Sequence, residues 1–269
     1  MTRNLYVGGD VDLVLAAPPE LVPFVVGQVY QTVLDALQAR GLDYVVAATV
    51  QDFDIELPML TPSYTLDDVR FTDFDVILAR GDVRWTNPQA HTYAVKLSFP
   101  FGPFTVNVDR GWVAVDATIA GSALRFVSTH LESAVPAIQE AQAAELIAAL
   151  SGVPRPTLVV GDLNSAADGS DTQSYGMMIG AGFADTWSDA HPRDAGYTCC
   201  QQADLQNTVS QLDRRIDLVL FRDRFANGNL GIVGGVHAMM LGGNPADRIS
   251  GLWPSDHAGV VTTLNLPPQ

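Results

Sequence analysis

Four short polar clusters sit beside apolar runs in this chain: Ser128-Thr129-His130-Leu131, Gly161-Asp162-Leu163-Asn164, Arg215-Ile216-Asp217 and Ser255-Asp256-His257. Together they offer two imidazoles and three carboxylates. Carboxylate oxygens hold hard divalent cations, and an imidazole paired with a carboxylate gains or loses a proton near neutral pH. Phosphoester hydrolysis uses that combination. A cation neutralises the phosphoryl oxygens, an aspartate aims and deprotonates water, and a histidinium or metal meets the leaving oxygen. Each residue also has a plainer reading: Asp162 as an Asx turn, His130 as a satisfied core histidine.

These groups can meet only if the elements that carry them end together. Val25, Val29, Val33 and Leu37 recur at steps of four and predict a helix over 24–40, stopped by Gly41. Apolar and β-branched runs predict strands at 44–50, 76–80, 113–119 and 124–129, the last two a hairpin through Gly121 and Ser122. An alanine-rich helix over 136–150 then leads to a strand at 157–160 that runs into Gly161 and Asp162. A helix at 174–181 and strands at 216–221 and 259–264 complete a mixed α/β (α+β) order. The clusters fall where strands give way to loops, the place where such folds gather ligands.

Length and composition limit the alternatives. The 269 residues are 47% hydrophobic, enough to bury a core without a disulfide framework, and no repeat or linker divides them. A single domain over 1–269 is expected. The formal net charge is -15, and Lys96 is the one lysine among 15 basic residues, so a protein that coats DNA by neutralising phosphates is excluded. The apolar stretches near the start are interrupted by Asp12, Glu20 and prolines before they reach the ~20 residues of a membrane span. Cys199 and Cys200 are adjacent and cannot staple distant segments; a vicinal disulfide and a small-residue packing pair both stand, with packing the simpler. No signal-peptide pattern precedes Asn4, so the compartment is either cytoplasmic or reached by a signal already removed.

The clusters resemble, in order, those of the endonuclease/exonuclease/phosphatase superfamily with the DNase I-like fold. Asn4 in Thr-Arg-Asn-Leu-Tyr resembles the opening-strand asparagine, Thr129-His130-Leu131 the central histidine strand, Gly161-Asp162-Leu163-Asn164 the GDxN signature, Arg215-Ile216-Asp217 the late aspartate strand, and Ser255-Asp256-His257 the terminal SDH. Arg110-Gly-Trp-Val, Tyr197-Thr-Cys-Cys and Gly251-Leu-Trp-Pro are similar to secreted bacterial members. The resemblance implies a four-layer sandwich of two packed mixed sheets flanked by helices. It implies that Asp162 deprotonates the attacking water, that Asn164 holds that water or a phosphate oxygen, and that His257 bonds the phosphate while Asp217 fixes its tautomer. By the same likeness His130 would protonate the leaving oxygen, and Asp256 and Asn4 would lie at a Mg2+ or Mn2+ ion, with Ca2+ a further candidate.

The chain departs from the family at one place. The family carries an early strand ending in Gln-Glu, whose glutamate is the chief metal ligand. Here the five glutamates are Glu20, Glu56, Glu132, Glu140 and Glu145, and none ends an apolar strand in the right order. The sequence passes between Val33 and Leu42 as if one early helix and strand were missing, so either another carboxylate substitutes or the cation is held weakly. Substrate narrows only partly. Tyr197-Thr198-Cys199-Cys200 lacks the bulky aromatics of DNA-repair relatives, and Leu212-Asp213-Arg214-Arg215 lacks the inositol-phosphatase pattern. Arg214 and Arg215 are read either as phosphate contacts or as a solvated strand entry; Trp85, Trp112, Trp187 and Trp253 as core or as stacking platforms. The leading expectation is a metal-dependent phosphodiesterase or nuclease. A phospholipid or sphingomyelin headgroup phosphodiesterase and a degenerate, non-catalytic phosphoester-binding module are the alternatives.

Overall fold

The computed structural model describes residues 2–3, 29–60, 66–101, 104–119, 121–223 and 235–264. In chain order come β1 (Thr2–Arg3), α1 (Val29–Ala39), β2 (Tyr44–Leu60), β3 (Leu66–Arg80), β4 (Arg84–Thr92), β5 (Leu97–Phe101), β6 (Phe104–Val108), β7 (Gly111–Ile119) and β8 (Ser122–His130). Then follow α2 (Pro136–Leu150), β9 (Thr157–Asp162), α3 (Ser174–Gly180), β10 (Ala184–Asp185), α4 (Thr186–Ala190), β11 (Asp217–Arg222), β12 (Val236–Leu241) and β13 (Gly259–Leu264). Among these residues α1 is followed directly by β2, with no strand between them. The start of the expected first helix, at 24–28, lies outside the described residues.

Two sheets pack face to face. One runs β10-β11-β9-β8-β7-β4, the other β1-β13-β12, and β2 and β3 form a long antiparallel ribbon. The central strands β7, β9 and β11 are buried along almost their whole length because both faces are covered. Alternation divides their side chains. Val113, Val115, Leu158, Val160, Val219 and Phe221 point to the inter-sheet core with Val260, Val50 and Ile77. Ala114, Val127, Val159, Leu218 and Leu220 face the other way, against Leu146 and Leu150 of α2 and Met178 of α3. Burying each such Leu or Val contributes about 1.5–3 kcal/mol. On the far side α1 lies against β2.

The topology decides where the chemistry sits. β8 and β9 are parallel, so both end at the same edge, in His130 and Asp162. β11 is antiparallel to β9 and starts opposite its end, with Asp217 paired to Asp162. β7 begins there too, Gly111 pairing with His130, so Arg110 joins the same edge.

Candidate functional site

Local backbone chemistry sets each side chain at this edge. Gly161 has φ 140°, and a Cβ there would collide with the Thr129 carbonyl oxygen, so only glycine lets β9 run this close to β8 before Asp162. Asn164 takes φ 49°, its backbone N–H donating to Asp162 Oδ1 at 2.7 Å and its side-chain amide donating to the Leu131 carbonyl at 2.9 Å. The Asx turn and the candidate catalytic pair are therefore one structure.

The Thr198–Cys200 segment is wedged between the other two clusters. Thr198 Oγ1 accepts from the backbone N–H groups of Ile216 and Asp217, both at 3.1 Å, and its carbonyl accepts from Ala258 N–H at 2.7 Å. This brings Asp217 against His257, whose Nδ1 lies 2.9 Å from Asp217 Oδ2. Burial alone would lower the His257 pKa, but the hydrogen bond and charge of Asp217, with Asp162 and Asp256, raise it to about 9. Asp162 is raised too, which for a carboxyl favours the neutral form. Burial and the Asp217 charge raise it to about 7, against the lowering pull of His257, the Asn164 N–H and Arg110.

His130 occupies a different environment. Burial, Arg110 and His257 hold it well below the ordinary imidazole value, so it is neutral. Arg110 Nη1 lies 3.0 Å from His130 Nδ1; an arginine only donates, so Nδ1 accepts and the proton is assigned to Nε2. That nitrogen faces Asp162, 3.7 Å from Oδ2. Asp256 is buried, accepts from Ser255 Oγ at 3.3 Å and adds its charge to His257. The structure thus brings together His130, Asp162, Asn164, Asp217 and His257. Asn4 lies outside the described residues.

An acidic group faces His130 from the ribbon. Asp73 and Asp75 sit two apart on β3, hence on one face, and Asp52 lies at a bulge in β2 between Gln51 and Phe53. Arg110 Nη1 is 3.4 Å from Asp73. Burial, then the Asp73 charge, raise Asp75 to about 7, while burial and the charges of Asp75 and Asp73 raise Asp52 well above its usual range. Sequence reasoning missed Arg110 and all three acids; the alternation Asp-Phe-Asp on a strand was the available signal.

A hard cation fits the donors present. Asp162, Asp217 and His257 each place a ligand atom within 4.8 Å of the others, and Asp217 Oδ1 is buried without a hydrogen-bond partner. The glutamates with described side chains have other work. Glu132 Oε1 accepts from Ala134 N–H, Glu140 from Gln173 N–H, and Glu145 pairs with His91 at 2.7 Å.

Other expectations are corrected. Arg215 is neither a phosphate contact nor solvated: it is buried, bonding Asp185 at 2.5 Å, Ser188 Oγ and the Ala195 carbonyl. Asp185 in turn caps α4, so this pair is structural. Trp112, Trp187 and Trp253 are buried in the core and Trp85 packs against it. Cys199 and Cys200 form a vicinal disulfide, and Cys199 is also packed in the core.

Two packed sheets with helices against them, one mixed and the other antiparallel among the described strands rather than mixed as expected, and an acid–imidazole cluster at one sheet edge define the DNase I-like class. The chain belongs to the Endonuclease/Exonuclease/phosphatase family, whose sequence pattern matches residues 36–257. Members of this family are phosphoester hydrolases that generally use divalent metals such as Mg2+. Among solved structures, D. rerio TDP2 complexed with a single-strand DNA product is 17% identical, with 95% of this chain and 95% of that chain covered and a TM-score of 0.53. Truncated Caenorhabditis elegans TDP2 is 16% identical over 86% of this chain and 78% of that one, TM-score 0.52. An endonuclease/exonuclease/phosphatase from Beutenbergia cavernae is 18% identical, covering 88% of this chain and 57% of that chain, TM-score 0.53. No curated protein matches in sequence.

Proposed function

We propose that this protein hydrolyses phosphodiesters with the help of a divalent cation, Mg2+ or Mn2+ first and Ca2+ next, with nucleic acid the leading substrate. The observation that carries the reading is the geometry at one edge, where Asp162, Asp217 and His257 each place a ligand atom within 4.8 Å of the others; there burial and charge raise the Asp162 carboxyl to about 7 and Asp217 raises the His257 imidazole to about 9. Between those values Asp162 is ionised and takes a proton from water, while His257 is still cationic and binds the phosphate. Asp217 holds His257 in place, and Asn164, fixed to Asp162 and Leu131, steadies the water or a phosphate oxygen. His130, neutral with its proton on Nε2, donates a hydrogen bond to the leaving oxygen rather than protonating it as the resemblance implied. Asp162 and Asp217, with Asp256 and Asn4 as further ligands, would hold the cation, which when bound neutralises charge on the phosphoryl oxygens.

One rival has its own support. The family glutamate has no counterpart among the described side chains, which favours a module that binds phosphoesters without turning them over. Hydrolysis of a bis-aryl phosphodiester, plasmid DNA and sphingomyelin liposomes, each with Mg2+ or Mn2+ and then with excess chelator, separates the readings. Turnover of the aryl ester and DNA that chelator stops and fresh metal restores is expected. Liposome turnover alone would move the substrate to lipid headgroups, and binding without turnover would establish the rival.

A further inference from the structure

The sulfur pair beside His257 has no part in the hydrolytic scheme. Cys199 forms isolated antiparallel bridges with both Arg214 and His257, and the Thr198 carbonyl accepts from Ala258 N–H. The two cysteines are therefore held against the histidine by backbone bonds on either side. The sulfurs of Cys199 and Cys200 and a ring nitrogen of His257 all lie within 4.8 Å of one another. Cys199 is buried, whereas Cys200 and His257 are half-buried and reachable. Arg214 Nη2 lies 3.4 Å from the Cys200 sulfur and 3.9 Å from that of Cys199, a cation placed to favour thiolate over thiol.

We infer that the reduced Cys199–Cys200 pair and His257 form a second metal site, selective for a thiophilic divalent cation of the Zn2+ class. Two thiolates and an imidazole are the donors of zinc sites, with water completing the four, and they discriminate against Mg2+, which seeks oxygen. The carboxylate side of the edge favours the opposite ion. His257 serves both: cationic at the hydrolytic edge, where it binds phosphate, and a neutral ligand at the sulfur site, so a thiophilic cation that takes it displaces its proton and withdraws it from the phosphate. The site exists only in the dithiol. A phosphine opens the disulfide with water, giving two thiols and a phosphine oxide; the cation then displaces one proton from each thiol as the sulfurs bind. A low-molecular-weight disulfide reverses the redox step by taking up the two electrons and two protons as two thiols. If the phosphodiesterase reading holds, Zn2+ inhibits the reduced enzyme and spares the oxidised one.

Co2+ tests this without turnover, so a silent hydrolase assay leaves the outcome readable. Phosphine-reduced protein, with reduction verified by mass, is titrated with Co2+ and followed by its sulfur-to-metal charge-transfer absorption. A band that saturates at one ion per chain, releases protons and is bleached by Zn2+ is expected; oxidised protein should show none. The band should vanish in Cys200→Ala and after alkylation of reduced wild type, the latter guarding against a misfolded variant. In His257→Gln the Co2+ affinity should fall at least about tenfold, the lower bound for removing even an outer-shell partner. Reduced, folded protein without the band, a band surviving alkylation, or a disulfide that phosphine cannot open in the folded chain would each overturn the site.

Discussion

The edge formed by β8, β9 and β11 and the ribbon formed by β2 and β3 both bring buried acids towards His130, yet they treat charge in opposite ways. At the edge, each carboxylate faces a named partner. Asp217 holds His257, and Asp162 accepts the Asn164 N–H. On the ribbon three aspartates face one arginine, and with Asp75 ionised neither oxygen of Asp52 has a donor, so that pair is satisfied only by sharing a proton. The edge is assembled from strand ends fixed by the core. The ribbon follows α1 directly, where the family's early glutamate strand would come between. The acids and imidazoles of the edge are thus brought together although no strand stands between α1 and the ribbon among the described residues.

Removing the partner at the edge should have the larger effect. In Asp217→Asn, His257 loses the hydrogen bond and the largest charge that offset its burial and keeps only those of Asp162 and Asp256, so its pKa should drop from about 9, read by NMR titration in chelator. The sign for stability follows. A raised imidazole pKa contributes stability that is complete below the unfolded value and lost as pH rises through about 9, so the variant should lose that pH dependence. Turnover should fall on the order of a hundredfold or more, because His257 is no longer held in place and cationic against the phosphate. An unchanged His257 titration would mean that the edge is no more organised than the ribbon.

Relieving the ribbon should do the reverse, and less. Carboxyl pKa values raised in the folded state favour the protonated form, so their contribution is present at low pH and lost as pH rises through the value of about 7 at Asp75. Asp52→Asn should therefore melt about 2–4 °C higher than wild type near pH 8, with the gap closing as the pH is lowered to about 5. A lower melting temperature at the higher pH, restored by chelating both proteins, would show the acids to be paired by a bound cation.

Much of the edge was legible in the chain. The strand at 157–162 ends in Gly161-Asp162 because its apolar run stops there, and the helix over 136–150 and the strand over 259–264 stand as periodicity places them. The ribbon was only half visible. Polar residues such as Asp67, Asp68 and Thr72 hide the first part of β3, and the second part of β2 is equally mixed. β4 was missed because it is an edge strand, mostly exposed, with a bulge around Pro88, so its Arg-Trp-Thr-Asn-Pro-Gln-Ala-His-Thr sequence has no alternation to read. Arg215 was misjudged for a related reason: its partner Asp185 is thirty residues away, and only the pairing of β10 with β11 brings them together. Arg110 stands directly before an apolar strand, but nothing in its neighbours announces that His130 lies across the ladder.

The most direct test replaces one atom group at the edge. Asp162→Asn and wild type are compared for hydrolysis of a bis-aryl phosphodiester with Mg2+ or Mn2+ at neutral pH, and for melting temperature. The account predicts turnover lowered on the order of a hundred- to ten-thousand-fold with melting unchanged or slightly raised, since a buried acid has been neutralised. Turnover that survives the substitution, turnover that falls only as far as the fold is lost, or a folded wild type inert with every divalent ion would contradict it.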